Sequence, residues 1–162
     1  MKQVLLVTGS SGIAAATARL WSTENPVFIV GVNAAECSNL ATELHEAGCA
    51  PADVRDEFAV QNAVSGCVDR FGRIDALFNV AGISARSAGD GPLHECKVEA
   101  WGLVMDVNAK GTFLMCREAL KVRTRNAQGG VNLNCGACWL NGRNATISQR
   151  LGTRPVKERS RR

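Results

Sequence analysis

The stretch Val4-Leu5-Leu6-Val7-Thr8-Gly9-Ser10-Ser11-Gly12-Ile13-Ala14-Ala15 decides how the rest of the chain is read. Four consecutive apolar residues, Val4 to Val7, have the character of a strand buried on both faces of a parallel sheet. Gly9 and Gly12 follow at once, and then an Ala-rich segment, Ala14 to Leu20, of high helix propensity. Strand, glycine turn and helix in that order let a backbone approach a dinucleotide pyrophosphate, which the N–H groups and dipole of the helix N-terminus attract. An ordinary strand-to-helix turn is the alternative, because a glycine pair alone is a weak motif.

Outward from this stretch, apolar runs and helix-sized connectors alternate. The first helix is expected over about Gly12 to Glu24, with Pro26 breaking the chain before a second strand, Val27 to Val32. A helix over about Ala35 to Ala47 ends at Gly48, read as its C-cap. A third strand lies around Cys49 to Val54, and Glu57 to Phe71 carries an apolar stripe of Phe58, Val60, Ala63, Val64, Cys67 and Val68. Gly72 stops that helix, and Ile74 to Val80 forms a fourth strand. A polar loop, Ile83 to Pro92, precedes one long helix from about Val98 to Arg125, which Gly102, Asn108 and Gly111 should weaken or bend. Val131 to Cys135 is the fifth strand. The pattern βαβαβαβαβ predicts an α/β fold: a three-layer, Rossmann-type doubly wound parallel sheet with right-handed crossovers.

At 162 residues, 46% apolar and 21% charged, the chain fits one soluble globular domain. Its N-terminal apolar run is too short for a signal peptide or membrane span, so a cytoplasmic location without membrane contact is expected. Seven cysteines at 37, 49, 67, 96, 116, 135 and 138 show no disulfide-framework spacing. The single Cys135-x-x-Cys138 pair, without a second, argues for free thiols and against a metal site. His45 and His94 lack companion ligands and read as solvated. Residues 139–162 hold seven Lys or Arg against Glu158, a charge of +6, whereas residues 1–138 carry −2. The basic balance therefore belongs to a tail read as disordered, and a nucleic-acid surface is not indicated.

By the fourth strand the sequence resembles the short-chain dehydrogenase/reductase family over about residues 3 to 138. Thr8-Gly9-Ser10-Ser11-Gly12-Ile13-Ala14 is similar to the family's Thr-Gly-x-x-x-Gly-Ile-Gly, and Asn79-Val80-Ala81-Gly82 to its Asn-Asn-Ala-Gly. Asp53-Val54 stands where family members contact adenine, and Asn108 in Val107-Asn108-Ala109-Lys110-Gly111 matches the helix asparagine of the catalytic tetrad. Gly72-Arg73-Ile74-Asp75 is also characteristic. The resemblance implies a partial NAD(P)-binding domain over 1–138, incomplete on its C-terminal side, with cofactor contacts from Thr8, Gly9, Ser10, Ser11, Gly12, Ile13, Asn33, Asp53, Val54, Asn79, Ala81 and Gly82. Asn33 ends the second strand, where an acid suits NAD and a base suits NADP. With no Lys or Arg at 10, 11, 34 or 35, NAD is favoured over NADP.

Three departures bear on chemistry. The glycine turn is one residue shorter than the usual family spacing, although Gly9, Gly12 and Ala15 give the Gly-x-x-Gly-x-x-Ala of extended members. The serine position falls on Cys135, a weaker donor. The sequence contains no Tyr, and the segment Ile147 to Gly152 offers no Tyr-x-x-x-Lys. Such an enzyme moves hydride between nicotinamide and an alcohol/carbonyl pair, with Tyr as general acid or base. Asn108 and Cys135 are the remaining catalytic candidates, and the chain as it stands is expected to be inactive. The change of character at the tail points to truncation, a frame change or an alternative exon. A non-catalytic dinucleotide-binding module, or an association partner of a full-length relative, is the second reading. Self-association is expected through the helix 98–125, and a basic-tailed nucleic-acid binder is the third reading.

Overall fold

A computed structural model of the chain describes residues 2–136. Cys138, the tail 139–162 and the segment Ile147 to Gly152 lie outside the described residues. Five parallel strands, β1 Leu5–Thr8, β2 Val27–Gly31, β3 Ala47–Pro51, β4 Ala76–Asn79 and β5 Val131–Asn134, form one sheet in the order β3-β2-β1-β4-β5. The expected three-layer doubly wound architecture is present. β1 is paired on both sides, with Leu6 opposite Phe28 of β2 and Leu77 of β4.

Alternation along the strands sends successive side chains to opposite faces. Leu6, Phe28, Val30 and Leu77 join Val60, Ala63, Val64 and Cys67 of α3 (Glu57–Phe71) and Leu114, Met115 and Ala119 of α5 (Thr112–Arg125). Leu5, Val7, Val27, Ile29 and Ala76 join Ala14, Ala15 and Ala18 of α1 (Gly12–Trp21) and Cys37 and Leu40 of α2 (Ala34–Glu43) on the other face. Each buried Leu, Val or Ile contributes about 1.5–3 kcal/mol. Burial deep in the first cluster pushes the Cys67 thiol up to about 12.

Several elements differ from the sequence expectation. α2 stops at Glu43, and Gly48 lies inside β3 opposite Phe28 rather than capping a helix. A Cβ there would lie 2.9 Å from the Phe28 ring and 2.7 Å from Arg70 Cδ, so close packing selects this glycine. Phe58 leaves the apolar stripe and is exposed, because two residues before Val60 it falls on the opposite side of the helix from the buried Val60, Val64 and Cys67. The single long helix is instead α4 Val98–Val104, a π-helix Met105–Gly111, and α5. Two tertiary demands widen it: Asn108 bonds the backbone of Ile83, and a Cβ on Gly111 would lie 2.6 Å from Val54 Cγ2.

The described residues divide into two units, 2–83 with 104–135 and a smaller one around 84–103. Within the smaller unit, a 3-10 turn Arg86–Ala88 ends at Gly89 (φ 102°), whose carbonyl accepts from the Lys97 N–H. In the larger unit, the sheet's lower end is fixed by charge. Asp75 Oδ2 accepts from the Val4 N–H at 2.8 Å and from Arg73 Nε at 2.8 Å. Burial raises the Asp75 carboxyl, but the bonds from Arg73 and Val4 more than offset it and hold it below its ordinary 3.8. Arg123, buried on α5, donates to the carbonyls of Ile74, Asp75 and Val131 and ties α5 to β4 and β5. A Cβ on Gly130 would lie 2.5 Å from Arg123 Nε, so the backbone closes directly onto the guanidinium.

Two outcomes test this clamp. The lowered Asp75 contributes stability above its unfolded value, and that contribution is lost as pH falls below 3.8 and through the folded value. Asp75→Asn is therefore expected to cost about 1–3 kcal/mol at pH 7 and to flatten the acid limb of the denaturation midpoint against pH. Arg123→Met strands carbonyls of both strands and is expected to cost about 3 kcal/mol in urea unfolding.

Candidate functional site

The carboxyl ends of β1, β2 and β4 meet at the point where chain connections leave β1 in opposite directions, the crevice that open α/β sheets use for ligands. Thr8 ends β1 and is buried. Its Oγ1 accepts from the Val80 N–H at 3.0 Å and the Ala81 N–H at 3.1 Å, tying the turn after β4 to β1. The Gly9 N–H donates to the Val30 carbonyl at 2.7 Å, which fixes the glycine turn against β2.

The shortened turn closes without distortion elsewhere because both glycines take left-handed backbone, φ 107° at Gly9 and 53° at Gly12. A Cβ on Gly9 would lie 3.1 Å from Ala14 Cβ, so Ala14 fills the close-packing position usually given to a third glycine. A Cβ on Gly12 would meet nothing within 4 Å: open space lies over the start of α1. Ser11, the N-cap of α1, makes no side-chain capping bond, and the first turn carries no acid. The N–H groups at this terminus therefore remain available to an anion, with Ile13 exposed beside them.

On the β2 side, Asn33 caps α2, its Oδ1 accepting from the Glu36 N–H at 3.2 Å. Glu36, not singled out in the sequence, lies between Asn33 and the glycine turn. Its Oε1 accepts from Asn33 Nδ2 at 3.0 Å and its Oε2 from Ser10 Oγ at 2.8 Å. The signal was the spacing Asn33-Ala34-Ala35-Glu36, a capping-box pattern. Beyond β3, Asp53 is engaged by Arg55, whose Nη2 donates to Oδ2 at 2.6 Å, and this bond holds the Asp53 carboxyl below its ordinary value. Val54 is buried in the core against Gly111.

On the β4 side, Asn79 Nδ2 donates to Asn134 Oδ1 at 2.9 Å and to Cys116 Sγ at 3.3 Å, while its own Oδ1 is buried without a partner. Gly82 sits against Asn108: a Cβ there would lie 3.2 Å from Asn108 Oδ1. The Asn108 amide bonds Ile83 in both directions, Oδ1 accepting from its N–H at 2.8 Å and Nδ2 donating to its carbonyl at 2.9 Å. Cys135, directly after β5, is exposed, and its N–H donates to the Asn79 carbonyl at 2.8 Å. The structure thus gathers Thr8 to Ile13, Asn33, Asn79, Ala81 and Gly82 at the carboxyl edge and links Gly82 to Asn108. It gives Asp53 a partner of its own.

Residues 2–137 match the family model of short chain dehydrogenases. The chain belongs to that family. It is 39% identical over 139 residues to D-threitol dehydrogenase of Mycolicibacterium smegmatis, which covers 82% of this chain and 51% of that enzyme. It is 33% identical over 135 residues to cis-4-hydroxycyclohexanecarboxylate dehydrogenase of Sinomonas cyclohexanicum, covering 80% and 53%. Among solved structures, levodione reductase superposes with a TM-score of 0.71 at 30% identity, covering 83% of this chain and 54% of that one. A short-chain type dehydrogenase/reductase from Mycobacterium ulcerans superposes at 0.76 and 26%, covering 83% and 51%. The chain spans about half the length of these relatives. No helix among the described residues is long and apolar enough to cross a membrane.

The two glycines separate folding from binding. Gly12→Ala adds a methyl group where the structure has only open space, at a left-handed backbone costing about 1–2 kcal/mol. The variant is expected to melt cooperatively a few degrees lower and to lose dinucleotide binding in a titration. Unchanged binding would remove Gly12 from the cradle.

Proposed function

We propose that these residues form the dinucleotide-binding half of a short-chain oxidoreductase that moves hydride between NAD(P)(H) and an alcohol/carbonyl pair. The observation that carries the reading is the uncapped N-terminus of α1, opening onto free space over Gly12 at the sheet's switch point. Thr8, Gly9, Ser10, Ser11, Gly12 and Ile13 would hold the pyrophosphate, Asn33 the adenosine ribose, and the backbone at Asp53 and Val54 the adenine. Asn79, Ala81 and Gly82 would line the cleft toward nicotinamide, the carrier of the hydride. The absence of a basic residue at 10, 11, 34 and 35 supports NAD as the preferred cofactor. Relatives named as dehydrogenases of D-threitol and of a hydroxycyclohexanecarboxylate support a hydroxy substrate.

Proton transfer is a separate matter. The sequence has no Tyr, and loss of a general acid typically costs ~10²–10⁴ in rate. Asn108 and Cys135 hold the tetrad positions that remain, so turnover by this chain alone is expected to be negligible. A longer form carrying the proton donor would be the active enzyme. A second reading, a non-catalytic module that associates with a full-length relative or with itself, is supported by a β5 that pairs only with β4 among the described residues and by exposed Phe113 and Leu120 on α5.

Thermal melting with and without excess NADH, with NADPH as comparison, tests the reading. At 100 times the dissociation constant the cofactor should add about 2.7 kcal/mol of stability, and a panel of alcohols with NAD should give no turnover. Absence of a shift with either dinucleotide would overturn the binding role. Turnover by this chain would overturn the separation of binding from chemistry.

A further inference from the structure

We infer that Glu36 is the residue by which this chain selects NAD over NADP. The inference rests on the dinucleotide-binding reading and adds a residue that the strand-end motif does not contain. β2 ends at Gly31, and the position just beyond it that the sequence assigns to the ribose-binding group is the neutral Asn33, the N-cap of α2. The carboxylate is supplied instead from the third residue of α2. Asn33 Nδ2 holds Oε1 at 3.0 Å and Ser10 Oγ holds Oε2 at 2.8 Å, so the group is anchored at once to the turn after β2 and to the glycine turn.

Three features make this anchored carboxylate a reader of the ribose. It bridges the turn that faces a pyrophosphate and the strand end toward which the adenosine must run. Each oxygen accepts one bond within the protein and keeps a further lone pair for a ribose hydroxyl. Among the described residues, Glu36 is ion-paired to no Lys or Arg, so its charge is not neutralised locally. A 2′-phosphate placed there meets a fixed negative charge, whereas a 2′-hydroxyl finds an acceptor.

The experiment is equilibrium titration of the full chain with NADH, NADPH, AMP and adenosine 2′-monophosphate, for wild type, Glu36→Gln and Glu36→Ala, with a melting curve for each. Wild type should bind NADH about tenfold or more tightly than NADPH. Glu36→Gln should bring the two within about threefold, chiefly by strengthening NADPH, and Glu36→Ala should also weaken NADH. AMP and adenosine 2′-monophosphate should follow the same pattern. A wild-type preference that survives Glu36→Gln unchanged would overturn the assignment and leave the binding reading standing. So would an equal loss of both cofactors with a lowered midpoint, which marks Glu36 as a brace for the turn. Failure of wild type to bind any of the four would overturn the binding reading and this inference together.

Discussion

Parallel pairing of β1 on both of its edges is the constraint from which the rest follows. A parallel neighbour cannot be reached by a tight turn, so the chain must leave β1 through a helix, and it does so once toward β2 and later returns to β4 on the other side. The connections therefore diverge above the carboxyl end of β1, and a crevice opens there as a consequence of topology. Thr8 keeps its two walls in register: one hydroxyl oxygen accepts from two consecutive N–H groups of the chain leaving β4. Everything placed at the candidate site, from the glycine turn to Gly82, inherits its position from this arrangement.

The site is built mainly of backbone, and its side-chain charges are handled unequally. Asp53 is matched by Arg55, as Asp75 is by Arg73 at the sheet's opposite end, and both carboxyls are held low by those partners. Glu36 is steadied by neutral donors instead. A carboxylate held by an amide and a hydroxyl keeps its field, while one held by guanidinium has it cancelled nearby. That difference, more than the count of acids, decides which of them a ligand would sense.

Much of this was legible in the sequence because it depends on local pattern. Strands appear at the apolar runs begun by Val4, Val27 and Ile74, and the helix stop at Gly72 holds, although β1 covers Leu5–Thr8, β2 ends at Gly31 and β4 narrows to Ala76–Asn79. Burial on both faces of a parallel sheet leaves a continuous signature. What escaped is set by tertiary contact. Gly48 looks like a helix stop, but the Phe28 ring and the Arg70 stem demand it inside β3. The π-helix requires knowing that Asn108 meets Ile83 and that Gly111 meets Val54, neighbours distant in sequence. Glu36 carries a local capping signal, but only the fold brings Ser10 within reach of it.

The far side of the sheet is held in place differently from the candidate site. β5 exposes Val131 and Leu133 and relies for its place on backbone pairing with β4 and on the buried Arg123, which gathers carbonyls from both strands. The glycine-turn side draws nothing from that edge: Thr8 and the glycine turn lie at the end of β1, Asn33 and Glu36 at the start of α2 after β2, and both strands are paired on both sides. Asn79 is the link between the two regions, bonded through Nδ2 to Asn134 and through its carbonyl to the Cys135 N–H. A change at the β5 edge should therefore reach the Asn79–Gly82 side of the cleft, through Asn79, before it reaches the glycine turn. The side of the site built on β1 and β2 is the part most independent of the β5 edge.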